Sequence, residues 1–510
     1  MSNSRRARSV SALGMILWLS AAACGQTASG VREPAVAGQF YPADAGKLRL
    51  AIREYMRDAV APVVDGTFAL VIPHAGYVFA GQVFADAYRQ VEGRTFDTVV
   101  ILGTNHTVAG FSGVSVYPRG AYRTPLGLAA IDERGAAALL AEDRDCREDV
   151  SPQLREHSVE VQVPFVQVLF PEARILPIVV GEPDAGVCRR LGEGLARTLK
   201  GKRALVVASS DLSHYPAYDD AVRADRETME SISRMDAGAF AVRCRNLAGG
   251  GVRDLGTLAC GEAPVLAAMA AAKAAGATRG VQISYANSGD ALVGDRDRVV
   301  GYGAVAFASG PLRPPAAGTK LAPAQAGDPI QAGDRKALLR FARETLRRIL
   351  TTETVPLARN LGPRLGVPQG AFVTLRKHGR LRGCIGHFPA DTPLAQAVGR
   401  IALEAAFNDS RFRPLEMEEL DEIELEISVL SRPRGVPDPR LIRPGRDGVI
   451  LEKSGRSATF LPQVATEYGW GLEEMLDHLC EKAGLPKGAW RSGARFQTYQ
   501  AEVFSESDTR

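Results

Sequence analysis

Two modules of different class are predicted: an α/β sheet unit followed by a smaller α+β unit. Three observations predict them. Short apolar runs at residues 68–73, 98–103 and 204–208 read as strands covered on both faces, as in a parallel sheet. Helix-like stretches alternate with these strands as far as about Ser309, the pattern of a sheet with helices on both faces. Residues 310–334, rich in Pro, Ala and Gly, then act as a linker to a region where residues 422–429 alternate polar and apolar as a half-buried strand. The length of 510 residues also exceeds what one ordinary core supports. The net charge of +4 and the lack of a Lys/Arg block interleaved with aromatics give no case for nucleic-acid binding. Seven scattered cysteines without a CxxC pair argue against a disulfide framework and a Cys-rich zinc site.

Residues 1–30 carry Arg5, Arg6 and Arg8, an apolar run over 10–19, and small residues up to Cys24. This is the pattern of a secretory signal. Cys24 behind three alanines resembles a lipoprotein box, although that box favours Leu where this chain has Ala21. Cys24 is therefore the expected lipidation site, and the expected location is the periplasm or a membrane through an N-terminal lipid anchor. A mis-assigned start codon would instead leave the protein cytoplasmic. No later segment is long and apolar enough to span a bilayer.

The α/β module is expected over 31–309. After the 68–73 strand comes a helix to about Val91, then the 98–103 strand. Val159, Val163, Val166 and Phe170 share one face of a helix expected over 157–170. A strand at 174–180, a helix at 184–199 capped by Asp184, and the 204–208 strand follow. Helices near 219–234, 236–247 and 261–275 and strands at 281–285 and 299–307 close the unit. The second module, 335–506, opens with a helix over 336–350. Strands at 372–376 and 381–385 flank His378-Gly379, a hairpin signal. A helix over 393–407, the alternating 422–429 strand, a strand at 448–451, a helix over 472–482 and a last strand at 499–504 complete it.

In an open α/β sheet, ligands bind beyond the carboxyl ends of the strands. His74 follows the first strand, His106 the second, and Asp211 and His214 the third. Convergent neutral imidazoles are what a transition metal needs, so a metal or acid–base site is expected there. If the segment holding Asp211 and His214 is helical, their spacing puts both on one face; alternatively Asp211 caps the next helix. His157 and Glu160 share that spacing on a helix and read as pocket candidates or as a solvated face. Cys260 precedes the 261–275 helix, where a thiol acquires a lowered pKa and becomes a better nucleophile or soft ligand; a buried inert thiol is the bland alternative.

These positions together resemble the Memo family, protein B of the AmmeMemoRadiSam system: residues 31–42, Pro73-His74-Ala75-Gly76-Tyr77, Asn105-His106-Thr107, residues 156–162, residues 209–214 and Ala259-Cys260-Gly261. Thr104 stands where a Pro is expected. The resemblance implies a fold like the class III extradiol, non-haem iron dioxygenases. It also implies Fe(II) or Cu(I) held by His74, His106 and Cys260, with Asp211 and His214 as catalytic residues lining the same pocket. A thiolate suits those metals better than Mg²⁺ or Ca²⁺. Because the dioxygenases use two His and a carboxylate, a Cys260 ligand departs from ring-cleaving chemistry.

In the second module, Gly383 and Gly386 let backbone approach closely, and Arg382 offers a fork to an anionic ligand. Cys384 is a candidate nucleophile, and Asp409 with Arg411 an ion pair or helix end. Residues 370–375, 381–386, 405–412, 424–430, 460–464 and 482–486 resemble the AMMECR family, protein A of the same system. The system's name implies a radical-SAM protein as partner. This chain lacks a CxxxCxxC cluster motif and is not that protein. The expected function is a metal-dependent redox protein acting on a small molecule or peptide. The alternatives are a non-catalytic scaffold and an extracytoplasmic metal carrier.

Overall fold

The computed structural model describes residues 30–182, 184–246, 251–314, 325, 328–388 and 391–509. The leader expectation, Cys24 included, and about half of the linker lie outside the described residues.

The first module is built on an eight-stranded sheet. Its order is Arg279–Asn287, Gly301–Ala308, Thr67–Ile72, Ala204–Ser209, Thr98–Thr104, Arg174–Val180, Val114–Val116, Cys146–Arg147. The four central strands from Thr67–Ile72 to Arg174–Val180 are parallel. The sheet is nevertheless mixed, because Gly301–Ala308 runs antiparallel to both its neighbours and Val114–Val116 runs antiparallel to Arg174–Val180. The three apolar runs read as strands of a parallel sheet are parallel, whereas the apolar content of the flanking strands does not report their direction.

Burial on both faces explains the continuous apolar runs. Leu70, Ile72, Val99, Ile101, Leu205 and Val207 point into one core with the helices Ala45–Arg57, Tyr77–Arg89 and Val163–Leu169. Ala69, Val71, Val100, Leu102, Val206 and Ala208 point into the other, under Ala185–Thr198, Tyr218–Ser233 and Glu262–Ala274. Alternate side chains of each strand are thus apolar for different reasons.

The helix expected over 157–170 is two helices, His157–Glu160 and Val163–Leu169. Pro164 lacks an N–H and fits only the first turn of a helix, so the chain restarts there. The break turns the 156–162 segment inward. Glu160 is fully buried and paired with the equally buried Arg32, which overturns the solvated-face reading.

In the second module, Arg380–His387, Ala371–Lys377, Ile423–Leu430 and Ala501–Ser505 form an antiparallel sheet in that order. The turn at His378-Gly379 has φ of 50° and 75°, a left-handed pair suited to a tight hairpin. Helices Ala332–Thr352 and Leu394–Phe407 cover this sheet. A second sheet of Arg434–Val436, Arg495–Tyr499, Gly448–Lys453 and Arg456–Phe460 carries the helix Leu472–Lys482.

The modules touch through charge, hydrogen bonds and apolar side chains, Leu292 and Val78 from the first module and Leu357 from the second among them. Arg348 is buried among Glu54, Asp58 and Glu344, and Arg359 reaches Asp86 at 2.6 Å. Leu292, from the first module, is 1% exposed and belongs to the core of the second.

Candidate metal centre at the carboxyl edge of the sheet

The strands Thr67–Ile72, Ala204–Ser209 and Thr98–Thr104 are adjacent and parallel, so the residues after their carboxyl ends meet. The ring centroids of His74 and His106 lie 5.1 Å apart. The broken 156–162 segment adds a third imidazole: His157 is 5.3 Å from His74 and 4.7 Å from His106. Cys260 Sγ lies 3.1 Å from His74 Nε2.

Hydrogen bonds fix the ring orientations. Ser209 Oγ donates to Ser158 O at 2.6 Å and accepts from Gln162 Nε2 at 2.9 Å. Its remaining lone pair takes the proton of His74 Nδ1, 3.3 Å away. This leaves His74 Nε2 unprotonated and facing the thiol. His106 places Nδ1 2.9 Å from Glu156 Oε1, and His157 places its Nδ1 3.3 Å from the same oxygen. A carboxylate on one ring nitrogen orients the ring and leaves the other free for a metal. Glu156 also accepts from His106 N and Ser158 N, which anchors it between the two rings.

Electrostatics favour neutral imidazoles at His74 and His157. Burial holds His74 well below its ordinary pKa, helped by the neighbouring His157, His106 and His214. Burial likewise brings His157 down to about 4, against the pull of Glu156. Burial opposes ionisation of Glu156, but the hydrogen bond and charge of His106 win and bring it to about 2. The expected lowered thiol pKa at Cys260 does not occur. Burial, reinforced by Asp211, pushes it well above the ordinary value, outweighing its position ahead of the helix. A bound metal would have to displace that proton.

Asp211 neither lies on a helix with His214 nor caps a following helix. Residues 211–213 are irregular backbone, and His214 forms bridges to Thr257 and Val300. Asp211 Oδ1 instead accepts from the N–H groups of His74 (2.7 Å) and Ala75 (3.2 Å). Its Oδ2 is 3.9 Å from His74 Nε2. Burial raises Asp211 to about 6, with His214 and those N–H groups pulling the other way. The His214 ring is oriented through Nδ1, 3.0 Å from Leu212 O.

Among the described residues, two donor groups could hold an ion, each with its ligand atoms within 4.8 Å of one another: His74, His106 and His157, and His74, Asp211 and Cys260. His74 is common to both, while His106 and Cys260 fall in different groups. Glu160, named as a pocket candidate, works from beneath. It binds Arg32, the N–H groups of Ala35 and Val36, and Tyr41 Oη. Arg32 also donates to the carbonyl of Glu156 at 2.7 Å.

The second module's candidates form a separate cluster. Arg382 binds Glu419 through two bonds of 2.9 and 2.7 Å from Nε and Nη2, while its Nη1 is buried without a hydrogen-bond partner. Asp409 accepts from Cys384 N and pairs with Arg411, which also reaches Cys384 O. Cys384 Sγ lies 3.3 Å from Thr374 Oγ1.

Sequence reasoning missed Glu156, Arg32, Ser209 and Gln162 as site residues. An acid directly before His157 and polar residues flanking each apolar strand were the available signals.

A family model described as Memo-like protein matches residues 32–306, and one described as AMMECR1 matches residues 339–504. A MEMO1 family protein of Methanopyrus kandleri is 39% identical over 292 residues, covering 55% of this chain and 99% of that protein. One of Nitrosopumilus maritimus is 32% identical over 283 residues, covering 54% and 99%. Among solved structures, an uncharacterized protein of Pyrococcus horikoshii is 37% identical and covers 34% of this chain and 91% of its own, with a TM-score of 0.33. One from Escherichia coli is 13% identical, covering 47% and 99%, with a TM-score of 0.34. The chain belongs to the Memo-like family and carries an AMMECR1 domain behind its Memo module.

Proposed function

We propose that the first module is a metal-dependent redox protein that binds Fe(II) or Cu(I), with a fold and chemistry related to the non-haem extradiol dioxygenases. The observation that carries the reading is the pair of donor groups that share His74, one with His106 and His157 and the other with Asp211 and Cys260, where hydrogen bonds leave His74 Nε2 free. Nitrogen and sulfur donors of this kind suit Fe(II) and Cu(I) and not the hard cations. His74, His106 and Cys260 are the proposed ligands, with His157 in reach of His74 and His106 as a replacement for Cys260. When bound, such a metal supplies a redox-active Lewis acid. Asp211 and His214 are the proposed proton-handling pair, and burial keeps Asp211 poised near pH 6. The proposed substrate is a small molecule or peptide, and the proposed partner is the radical-SAM protein of the same system. Export, with a lipid on Cys24, is proposed from the leader and is tested by mass analysis of the mature N-terminus.

The decisive experiment is metal analysis of the purified full chain and of His74→Ala, Cys260→Ala and His157→Ala variants. Loss of Fe or Cu in His74→Ala supports the site; unchanged stoichiometry in a His74→Ala, Cys260→Ala double variant sinks it. Oxygen uptake with thiol or aromatic substrates then separates an enzyme from a scaffold or carrier.

A further inference from the structure

The segment between the strands Arg279–Asn287 and Gly301–Ala308 belongs to the first module by sequence, yet the second module holds it. The helix Leu394–Phe407 grips it with three residues of one face. Gln396 Nε2 donates to Gly289 O at 2.5 Å, and Arg400 Nη2 donates to Gly294 O at 2.6 Å. Between them Gly399 makes room for Leu292, since a Cβ there would lie 2.8 Å from Leu292 Cδ1 and 2.7 Å from Phe341 Cε1. Spacings of three and four residues put all three grips on one helix surface.

The far end of this loop is bonded to the strip that carries Asp211 and His214. Leu212 N donates to Gly301 O and Gly301 N to Ser213 O, both at 2.8 Å. Tyr215 N donates to Val299 O at 2.7 Å, and Val299 N to Pro216 O at 2.9 Å. The strip's other edge pairs with the segment leading to Cys260: His214 N donates to Thr257 O, Gly256 N to His214 O, and Cys260 N to Asp211 O. The 211–216 strip therefore lies between the loop and the thiol.

Strain in the strip shows that it must be held. Tyr215 has φ of 77°, a left-handed conformation costly for an aromatic residue, and is 46% exposed, so core packing does not impose it. Such conformations persist only where the surroundings over-determine them. The bond from Tyr215 N to Val299 O supplies that restraint, together with the Arg298 guanidinium 4.5 Å from the Tyr215 ring centroid. Both come from the gripped loop.

We propose that the AMMECR1 module is a positioning element for the candidate metal centre. By gripping the 288–300 loop through Gln396, Gly399 and Arg400, it sets the place of Asp211, His214 and Tyr215. The ligand-binding consequence rests on the metal reading above; the mechanical coupling does not. Gln396 and Arg400 are positioning residues, hydrogen-bonded to Gly289 and Gly294 of the loop.

The test compares hydrogen exchange of the full chain with that of a Gln396→Ala, Arg400→Ala variant. Exchange at residues 212–216 and 299–301 should rise about tenfold, within what coupling through packed hydrogen-bonded networks supplies. The Thr98–Thr104 strand should keep its rate, and Arg400→Lys with Gln396 intact should retain most of the protection. Competition of Fe(II) with a chelator should show affinity about tenfold weaker. If the unaltered chain binds no Fe(II), the metal reading fails while the exchange data still decide the coupling. Faster exchange at 288–294 with none at 212–216, or no change at either, overturns the proposal. Should the double variant lose protection throughout, Gln396→Ala alone is read by the same criteria.

Discussion

Replacing Arg32 with Met tests whether the metal centre rests on a buried ion pair. Arg32 is 1% exposed and Glu160 0%, and the guanidinium also bonds Gln153 O and Glu156 O. Methionine fills similar volume but leaves the Glu160 carboxylate buried with only the Ala35 and Val36 N–H groups and Tyr41 Oη as partners. Removing one member of such a pair costs about 3–5 kcal/mol. With a urea slope of about 2–3 kcal/mol/M, the midpoint falls by about 1–2.5 M. The chain has three tryptophans, of which Trp470 and Trp490 lie in the second module and Trp18 in the leader. Tryptophan fluorescence therefore follows the second module as an internal control, while tyrosine near-UV circular dichroism follows mainly the first. Adding Glu160→Gln removes the stranded charge, so the double variant should lose at least about 1 kcal/mol less than the two single losses summed. A loss below about 1 kcal/mol in Arg32→Met, or strict additivity, would refute the buried-pair argument.

Three further outcomes are expected. Glu156→Gln removes the carboxylate shared by His106 and His157 and should weaken Fe(II) or Cu(I) binding about 10–100-fold in a chelator competition, with far-UV circular dichroism unchanged. Gly261→Ala would put a Cβ 2.5 Å from Ser209 O and 2.6 Å from Ser210 Cβ. It should cost about 1–3 kcal/mol in denaturant unfolding and weaken the thiolate-to-metal charge-transfer band of a Cu- or Fe-loaded sample. Asp225, raised to about 6 chiefly by burial, favours its protonated form in the folded state. Its contribution to stability is complete below pH 4 and is lost as pH rises through 6, by about 3 kcal/mol. Measured from pH 4 to 7, the stability of the unaltered chain relative to Asp225→Asn should fall by that amount; a flat difference contradicts the assignment.

The central strands were legible because burial on both faces leaves no polar alternation to confuse them. His74, His106 and Asp211 follow directly from the ends of those strands. The short strands Val114–Val116, Ala121–Thr124 and Gly127–Ala130 were not legible, since three or four residues carry too little period and their pairing decides them. His157 was named as a pocket candidate beside a solvated-face alternative, because helical periodicity alone takes the 157–170 segment as continuous, whereas Pro164 splits it and the first half turns inward. Cys260 was chemically misjudged: position ahead of a helix is visible in sequence, but the desolvation that overrides it is not. The segment holding Leu292 reads as a polar loop, Ser288-Gly-Asp-Ala-Leu-Val-Gly-Asp295, and nothing local to it announces that its leucine is core.

That leucine also bears on how separable the two halves are. The Pro-rich linker invites the view that each module is autonomous, with a cut anywhere in it sparing both. Yet the hydrophobic socket formed by Phe341 and Gly399 is filled by a residue encoded upstream of the linker. A polypeptide beginning after the linker would keep an empty, solvent-facing hollow, a defect comparable to a large-to-small core substitution and worth about 2–5 kcal/mol. The unit of inheritance in this fusion is therefore larger than the AMMECR1 domain and includes a piece of its neighbour.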